Sequence, residues 1–273
     1  MGWSERQLAL LREIGIRVWA PPRAGLDDAC VTAPEPVPTS APAPDAMRES
    51  GLAAAAPSVM LRPPPHAGPH PGAAALAALD WPALRDTVAA CTACRLCEGR
   101  RQTVFGVGHQ RAHWMIVGEA PGEQEDRQGE PFVGKSGELL DNMLRALALT
   151  RGEAEPARQV YIANAIKCRP PGNRNPEPDE LAQCEGFLIR QVQLVQPRII
   201  LAMGRFAVQA LLRSSEPIGR LRGRVHRYQG VPLIVTYHPA YLLRNLEDKA
   251  KAWDDLCLAR ETVLADAVAR TAS

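Results

Sequence analysis

Four short apolar runs set the terms on which this chain can fold. They lie at 113–117, 160–163, 198–202 and 233–236, are rich in Ile, Val, Leu and Ala, and each is followed within two residues by a glycine or a polar residue. Runs of that length, bounded in that way, read as strands buried on both faces. Longer stretches with helical spacing separate them at 137–149, 178–195 and 205–212, and another follows at 246–268. Strand and helix in alternation predict α/β architecture: a three-layer α/β/α stack around a central four-stranded parallel sheet. A further helix is expected to open at Trp81, with Asp80 as its cap and Pro82 in its first turn.

Parallel strands finish on one rim, so the residues after each run meet there however far apart they lie in sequence. The first run gives way to Gly118-Glu-Ala-Pro-Gly-Glu-Gln-Glu-Asp126, read as an irregular loop carrying Glu119, Glu123, Glu125 and Asp126. The second leads into Asn164-Ala-Ile-Lys-Cys168, the third into Gly204, and the fourth into His238-Pro-Ala-Tyr-Leu-Leu-Arg244. An acid, an amide and an imidazole thereby converge as Glu119, Asn164 and His238, a plausible catalytic constellation. Each has a plain alternative, as surface acid, helix cap or local backbone partner. Their coincidence at three strand ends favours a site.

The chain has seven cysteines and no secretory signal, so ligation of a metal or burial is expected before disulfides. Cys91, Cys94 and Cys97 follow one another at two-residue gaps, which is half a metal site. Cys168 and Cys184 are the candidates for the other half, with Cys97 a spare; Cys30 falls in a linker and Cys257 at a core position of the last helix. Four sulfurs suit zinc or an iron–sulfur cluster, and spacing alone does not separate the two.

Composition divides the chain. Residues 20–75 are so rich in Ala and Pro that they cannot bury enough apolar surface to offset their ordering entropy, and they read as a disordered linker. Its His66 and His70 have no companions that would complete a metal site. Residues 1–19 carry an apolar stripe through Leu8, Leu11 and Ile14, with Trp19 beyond, and are expected to be a docking helix on that tether. The folded domain is expected over 76–273. With no signal peptide and no apolar span long enough to cross a membrane, a cytoplasmic protein is expected, and it is expected to be a monomer. A net charge of only +2 names no partner.

Gly129-Glu-Pro-Phe-Val-Gly-Lys-Ser136 matches the phosphate-loop pattern formally. It is rejected because such a loop leaves its strand directly and cradles phosphate with backbone amides. Here Pro131 lacks the amide, Phe132 is bulky, and no later strand ends in an acid to hold magnesium. Lys135 and Ser136 instead open a helix and suit a single backbone phosphate. Lys167, Arg169 and the cluster of Arg220, Arg222, Arg224, His226 and Arg227 suggest phosphate neutralisation along the same rim.

Taken with the cysteine spacing, Gly118-Glu-Ala-Pro-Gly-Glu-Gln-Glu-Asp126, Pro131-Phe-Val-Gly134, Asn164-Ala-Ile-Lys-Cys-Arg-Pro-Pro171 and His238-Pro-Ala-Tyr-Leu-Leu-Arg244 resemble the family 4 uracil-DNA glycosylases, over residues 84–259. The resemblance implies a base-excision-repair enzyme that flips uracil out of DNA and hydrolyses its N-glycosidic bond. It implies a structural 4Fe–4S cluster on Cys91, Cys94, Cys168 and Cys184. It also implies that Phe132 stacks on the base, Asn164 reads its O4 and N3 edge, and His238 lies beside O2. Glu119 with the Ala120 backbone would position the attacking water, and Glu125 would exclude the thymine methyl. Leu242, Leu243 and Arg244 match the loop that wedges into the duplex. Many members have Gly where this chain has Ala120, and the fast family 1 enzymes have Asp there. A relative that traps its substrate covalently uses a histidine after the Asn motif, and Cys168-Arg-Pro-Pro-Gly-Asn-Arg-Asn175 contains none. The other alternative is a non-catalytic DNA-binding relative associated with the replication machinery, against which the intact set of Glu119, Phe132, Asn164 and His238 stands. Residues 3–19 resemble the amino-terminal peptide of the bacterial clamp-loader psi subunit, implying a replication partner.

Overall fold

A computed structural model describes residues 71–271 and, upstream, Glu13. Apart from Glu13, the expected docking helix at 1–19 lies outside the described residues, as does most of the linker at 20–75, with Cys30, His66 and His70. Among those described, no helix is long and apolar enough to cross a membrane.

The strands are β1 (Val107–Gly108), β2 (Trp114–Gly118), β3 (Val160–Asn164), β4 (Ile199–Met203), β5 (Val225–Tyr228) and β6 (Val231–Thr236). They form one sheet in the order β1-β3-β2-β4-β6-β5. The inner pairs β3/β2, β2/β4 and β4/β6 are parallel, as the sequence predicts. The sheet has six strands rather than four, because β1 and β5 are added antiparallel at its edges. Neither leaves an apolar run. β1 is two residues long, and β5 alternates exposed and half-buried positions, with Arg227 on its outer side. Short or charged edges discourage pairing with another chain.

Every residue of β2, β3 and β4 is buried. Successive side chains point to opposite faces. Trp114, Ile116, Ile162 and Leu201 therefore pack with Leu140, Leu144 and Leu256, from the helices Lys135–Ala146 and Asp248–Thr271. Met115, Val117, Tyr161 and Ile200 pack on the other face with Leu188, Val192 and Val208, from Pro178–Val195 and Arg205–Leu212. A third cluster gathers Leu84, Val88, Phe105, Ile166 and Phe187 around Cys168 and Cys184. The helix Trp81–Ala89 starts as expected, with Asp80 Oδ1 accepting from the Ala83 amide at 3.0 Å. One helix is new. The acidic loop contains Glu123–Gln128, six residues and too short to show a period.

The chain leaves β2 to build β3 on one side and returns to build β4 on the other, so β2 is where the strand order reverses. Open α/β sheets bind ligands at the carboxyl ends of strands beside such a reversal. The register sets the ends level: Gly118 pairs with Asn164, Val117 with Ala202, and Met203 with Thr236.

Candidate active site

Gly118 is the floor of the site. A Cβ there would lie 2.5 Å from Asn164 Oδ1 and 2.7 Å from the Phe132 ring, so both side chains close over a position that only glycine leaves open. The amide of Ala165 donates to Gly118 O at 2.9 Å and that of Ile166 to Glu119 O at 3.2 Å, knitting the β3 exit to the β2 exit. Phe132 has φ 56°, the left-handed region that bulky residues avoid. Its neighbours hold it there. Glu125 Oε1 accepts from the Val133 amide at 3.1 Å, and Arg151 donates to Pro131 O at 3.0 Å. Gly137 allows the close approach, since a Cβ there would strike the Phe132 carbonyl. The Phe132 ring stacks on the His238 imidazole, with centroids 5.3 Å apart and planes at 25°.

His238 caps the one-turn helix Pro239–Leu242, and its Nδ1 accepts from the Ala240 amide at 3.1 Å. That bond leaves the ring proton on Nε2. Burial, with the Arg244 charge adding to it, pushes the imidazole pKa down to about 4, so the ring is neutral at ordinary pH. Glu119 is shifted the other way. Burial raises its carboxyl to about 7, against the opposing pull of Arg205. Glu119, Ala120 and His238 line an open cleft of about 720 Å³, together with Arg205, Tyr241 and Arg244.

Other expected residues are placed differently. Both oxygens of Glu125 are committed to backbone, Oε1 to Val133 and Oε2 to the Gly122 amide at 3.1 Å. It therefore bears on the base pocket by setting the Phe132 loop. Leu242 is 1% exposed and packed in the core, whereas Leu243 is 40% exposed. The two are consecutive around a helical turn, where neighbours point about 100° apart, so only Leu243 and the exposed Arg244 stand at the lip. Lys135 is exposed and Ser136 half-buried at the start of their helix. Arg169 donates to Asn173 Oδ1 at 2.7 Å and lies 3.7 Å from Glu123. Lys167 is buried and not available to phosphate. Arg222 pairs with the buried Asp255 at 3.0 Å, and a His226 ring nitrogen bonds to Leu221 O at 2.7 Å, so these two members of the basic cluster brace the fold. Arg205 and Arg174 are cleft residues that the sequence reading passed over. The signal for Arg205 was its place directly after Gly204, at the end of β4; Arg174 is held by both oxygens of Glu180.

A second, small cavity is lined by Cys91, Cys94, Cys97, Cys168 and Cys184, with Arg100 and Lys167. All five thiols are free. Burial raises the Cys94 thiol to about 11 and that of Cys184 to about 12. Arg100 donates to Cys168 Sγ at 3.0 Å. The expected ligands are thus brought together from three distant segments, and Cys97 joins them.

Fold and site define an open α/β protein with a polar cleft, beside an aromatic ring, at the reversal point of its sheet. Residues 105–257 match the family described as the uracil DNA glycosylase superfamily. The type-4 uracil-DNA glycosylase of Archaeoglobus fulgidus is 37% identical over 193 residues, which is 66% of this chain and 94% of that protein. That of Thermotoga maritima is 39% identical over 168 residues, 61% of this chain and 84% of the other. A type-5 uracil-DNA glycosylase of Pyrobaculum aerophilum is 32% identical over 151 residues, 50% and 66% of the two chains. The chain belongs to the uracil DNA glycosylase superfamily and, within it, to the type-4 uracil-DNA glycosylases.

Proposed function

We propose that the protein removes uracil from DNA by hydrolysing the bond between base and deoxyribose, leaving an abasic site. The observation that carries this reading is the meeting of an amide, an aromatic ring and a neutral imidazole over Gly118. A base can reach such a pocket only by leaving the stack. Asn164, 2% exposed, offers a donor for O4 and an acceptor for N3–H from one side chain. Cytosine presents the opposite pattern and would leave buried polar groups unpaired. The Phe132 face supports the ring by stacking, worth about 1–3 kcal/mol per base. His238 Nε2–H donates to O2, where negative charge collects as the glycosidic bond lengthens; donors aimed at developing charge are often the largest catalytic contribution. Glu119, once ionised, orients the attacking water and accepts its proton. With Ala120 beside it, no second carboxylate shares that task. Leu243 and Arg244 enter the duplex gap, while Lys135, Ser136 and Arg205 face backbone phosphates. Arg169, already engaged by Asn173 and Glu123, is a lesser contact. A DNA substrate inside the cell accords with the cytoplasmic location expected from the sequence.

Cys91, Cys94, Cys168 and Cys184 would hold a 4Fe–4S cluster. The donor set fits one: soft thiols from three segments line a single cavity. Such a group supplies cross-linking here, since hydrolysis moves no electrons. It would tie the segment after Trp81–Ala89 to the β3 exit and to Pro178–Val195. Arg100 would offset thiolate charge at Cys168.

The test is incubation with a single-uracil oligonucleotide, scoring free uracil and an alkali-labile abasic site. Wild-type protein yields both. Asn164→Asp and His238→Ala each lose roughly 10²–10³-fold in rate. Undiminished release by both variants refutes the site. A covalent adduct supports the trapping relative instead, and no product at all the non-catalytic one.

A further inference from the structure

We propose that Lys167 is a positioning residue that ties the cysteine cage to Asn164, so that the group held by the cage sets where the base-reading amide sits; this rests on the role given to Asn164 above. Lysine is almost never fully buried without a partner, yet Lys167 is 1% exposed. Its Nζ donates to Asn164 O at 2.8 Å and to Gln191 Oε1 at 2.6 Å, both neutral oxygens. Gln191 is itself 0% exposed, and its amide nitrogen donates to Phe105 O at 2.8 Å and Tyr161 OH at 2.9 Å, so this acceptor is fixed. Lys167 also lines the cage beside Cys168 and Cys184. The cage lies beside this ammonium, and its thiols are thiolates once they ligate metal.

The backbone makes the link mechanical as well. Cys168 follows Lys167 directly, and Lys167 O accepts from the Val104 amide at 2.8 Å. At its other end the same segment is pinned to Gly118 and Glu119. Residues 164–168 thus run as a short strap from base pocket to cage, and Lys167 bonds back across it to the carbonyl of Asn164. Groups behind metal ligands commonly orient them. Here the same arrangement reaches forward to a substrate-reading side chain.

The test uses metal-loaded protein with Lys167→Met, which removes charge and donor, and Lys167→Gln, which keeps an N–H donor without charge. Three readouts are taken on each: iron content with visible absorption, the reduction potential of the bound group, and binding to oligonucleotides carrying thymine or a cleavage-resistant 2′-fluoro uridine. The expected result is retained iron, a more negative potential in both variants because a neighbouring positive charge is gone, and a loss of uracil preference of roughly tenfold in Lys167→Met. Lys167→Gln loses less. If Lys167→Met does not fold, Lys167→Gln decides alone, with the shifted potential and a partial loss expected. An unchanged potential, a preference equal to wild type, or loss of iron from the variants that fold overturns the proposal. Wild-type protein that itself shows no uracil preference refutes the reading of Asn164 instead.

Discussion

Glu119→Gln separates what the Glu119 carboxylate does for the reaction from what it does to the fold. Burial lifts this carboxyl from the ordinary 4.5 to about 7. A folded-state pKa above the unfolded one means that ionisation works against folding. The penalty is absent below about pH 4.5, grows between 4.5 and 7, and is complete above 7. At 1.36 kcal/mol for each pH unit, full ionisation costs about 3 kcal/mol, which solvent at the cleft trims to about 2. Glutamine has the same shape and no charge. Urea unfolding should therefore find Glu119→Gln more stable than wild type by about 2 kcal/mol at pH 8 and equal to it at pH 4.5. Single-turnover uracil release should show the opposite ordering. Wild-type rate should fall about tenfold per pH unit below 7, with no contribution from His238 until about pH 4. The variant should be slower by roughly 10²-fold or more and flat across the same range. Equal stability at pH 8, or a rate limb near 7 that survives in the variant, refutes this account of Glu119.

Gly118→Ala should close the pocket, since its methyl would meet Asn164 Oδ1 at 2.5 Å and the Phe132 ring at 2.7 Å. The expected outcome is roughly hundredfold or greater loss of kcat/KM, with about 1–3 kcal/mol of destabilisation by denaturant titration; near wild-type activity contradicts the geometry. Leu242→Ala should destabilise by about 2–5 kcal/mol. Leu243→Ala should change stability by about 0.5 kcal/mol or less while slowing release from duplex more than from single strands; the reverse pattern would overturn the assignment of the exposed leucine to the lip.

The inner sheet is legible in the sequence because its strands are buried on both faces and so are apolar throughout. The helices over 178–195 and 205–212 are legible to the residue, their starts marked by Pro178 and by Gly204. The edge strands are not, since a strand with one face and one edge in solvent leaves only an alternation of Val, His, Arg and Tyr in 225–228. The convergence of Glu119, Asn164 and His238 follows from topology alone: parallel strands in register must end together. Residue type misleads where it stands in for environment. Lys167 and Arg222 read as phosphate ligands because they are basic, yet one is enclosed beside the thiols and the other is spent on Asp255. Leu242 and Leu243 are identical in sequence terms, and only the phase of one helical turn tells them apart.

The left-handed conformation of Phe132, locked from either side by Glu125 and Arg151, bears on how the protein finds its target. An everted base stays outside the helix only briefly. On the role proposed for Phe132, a wall already standing when the base arrives would need no loop to close around it. The strain of that conformation would then be met in the folded protein before any base is everted.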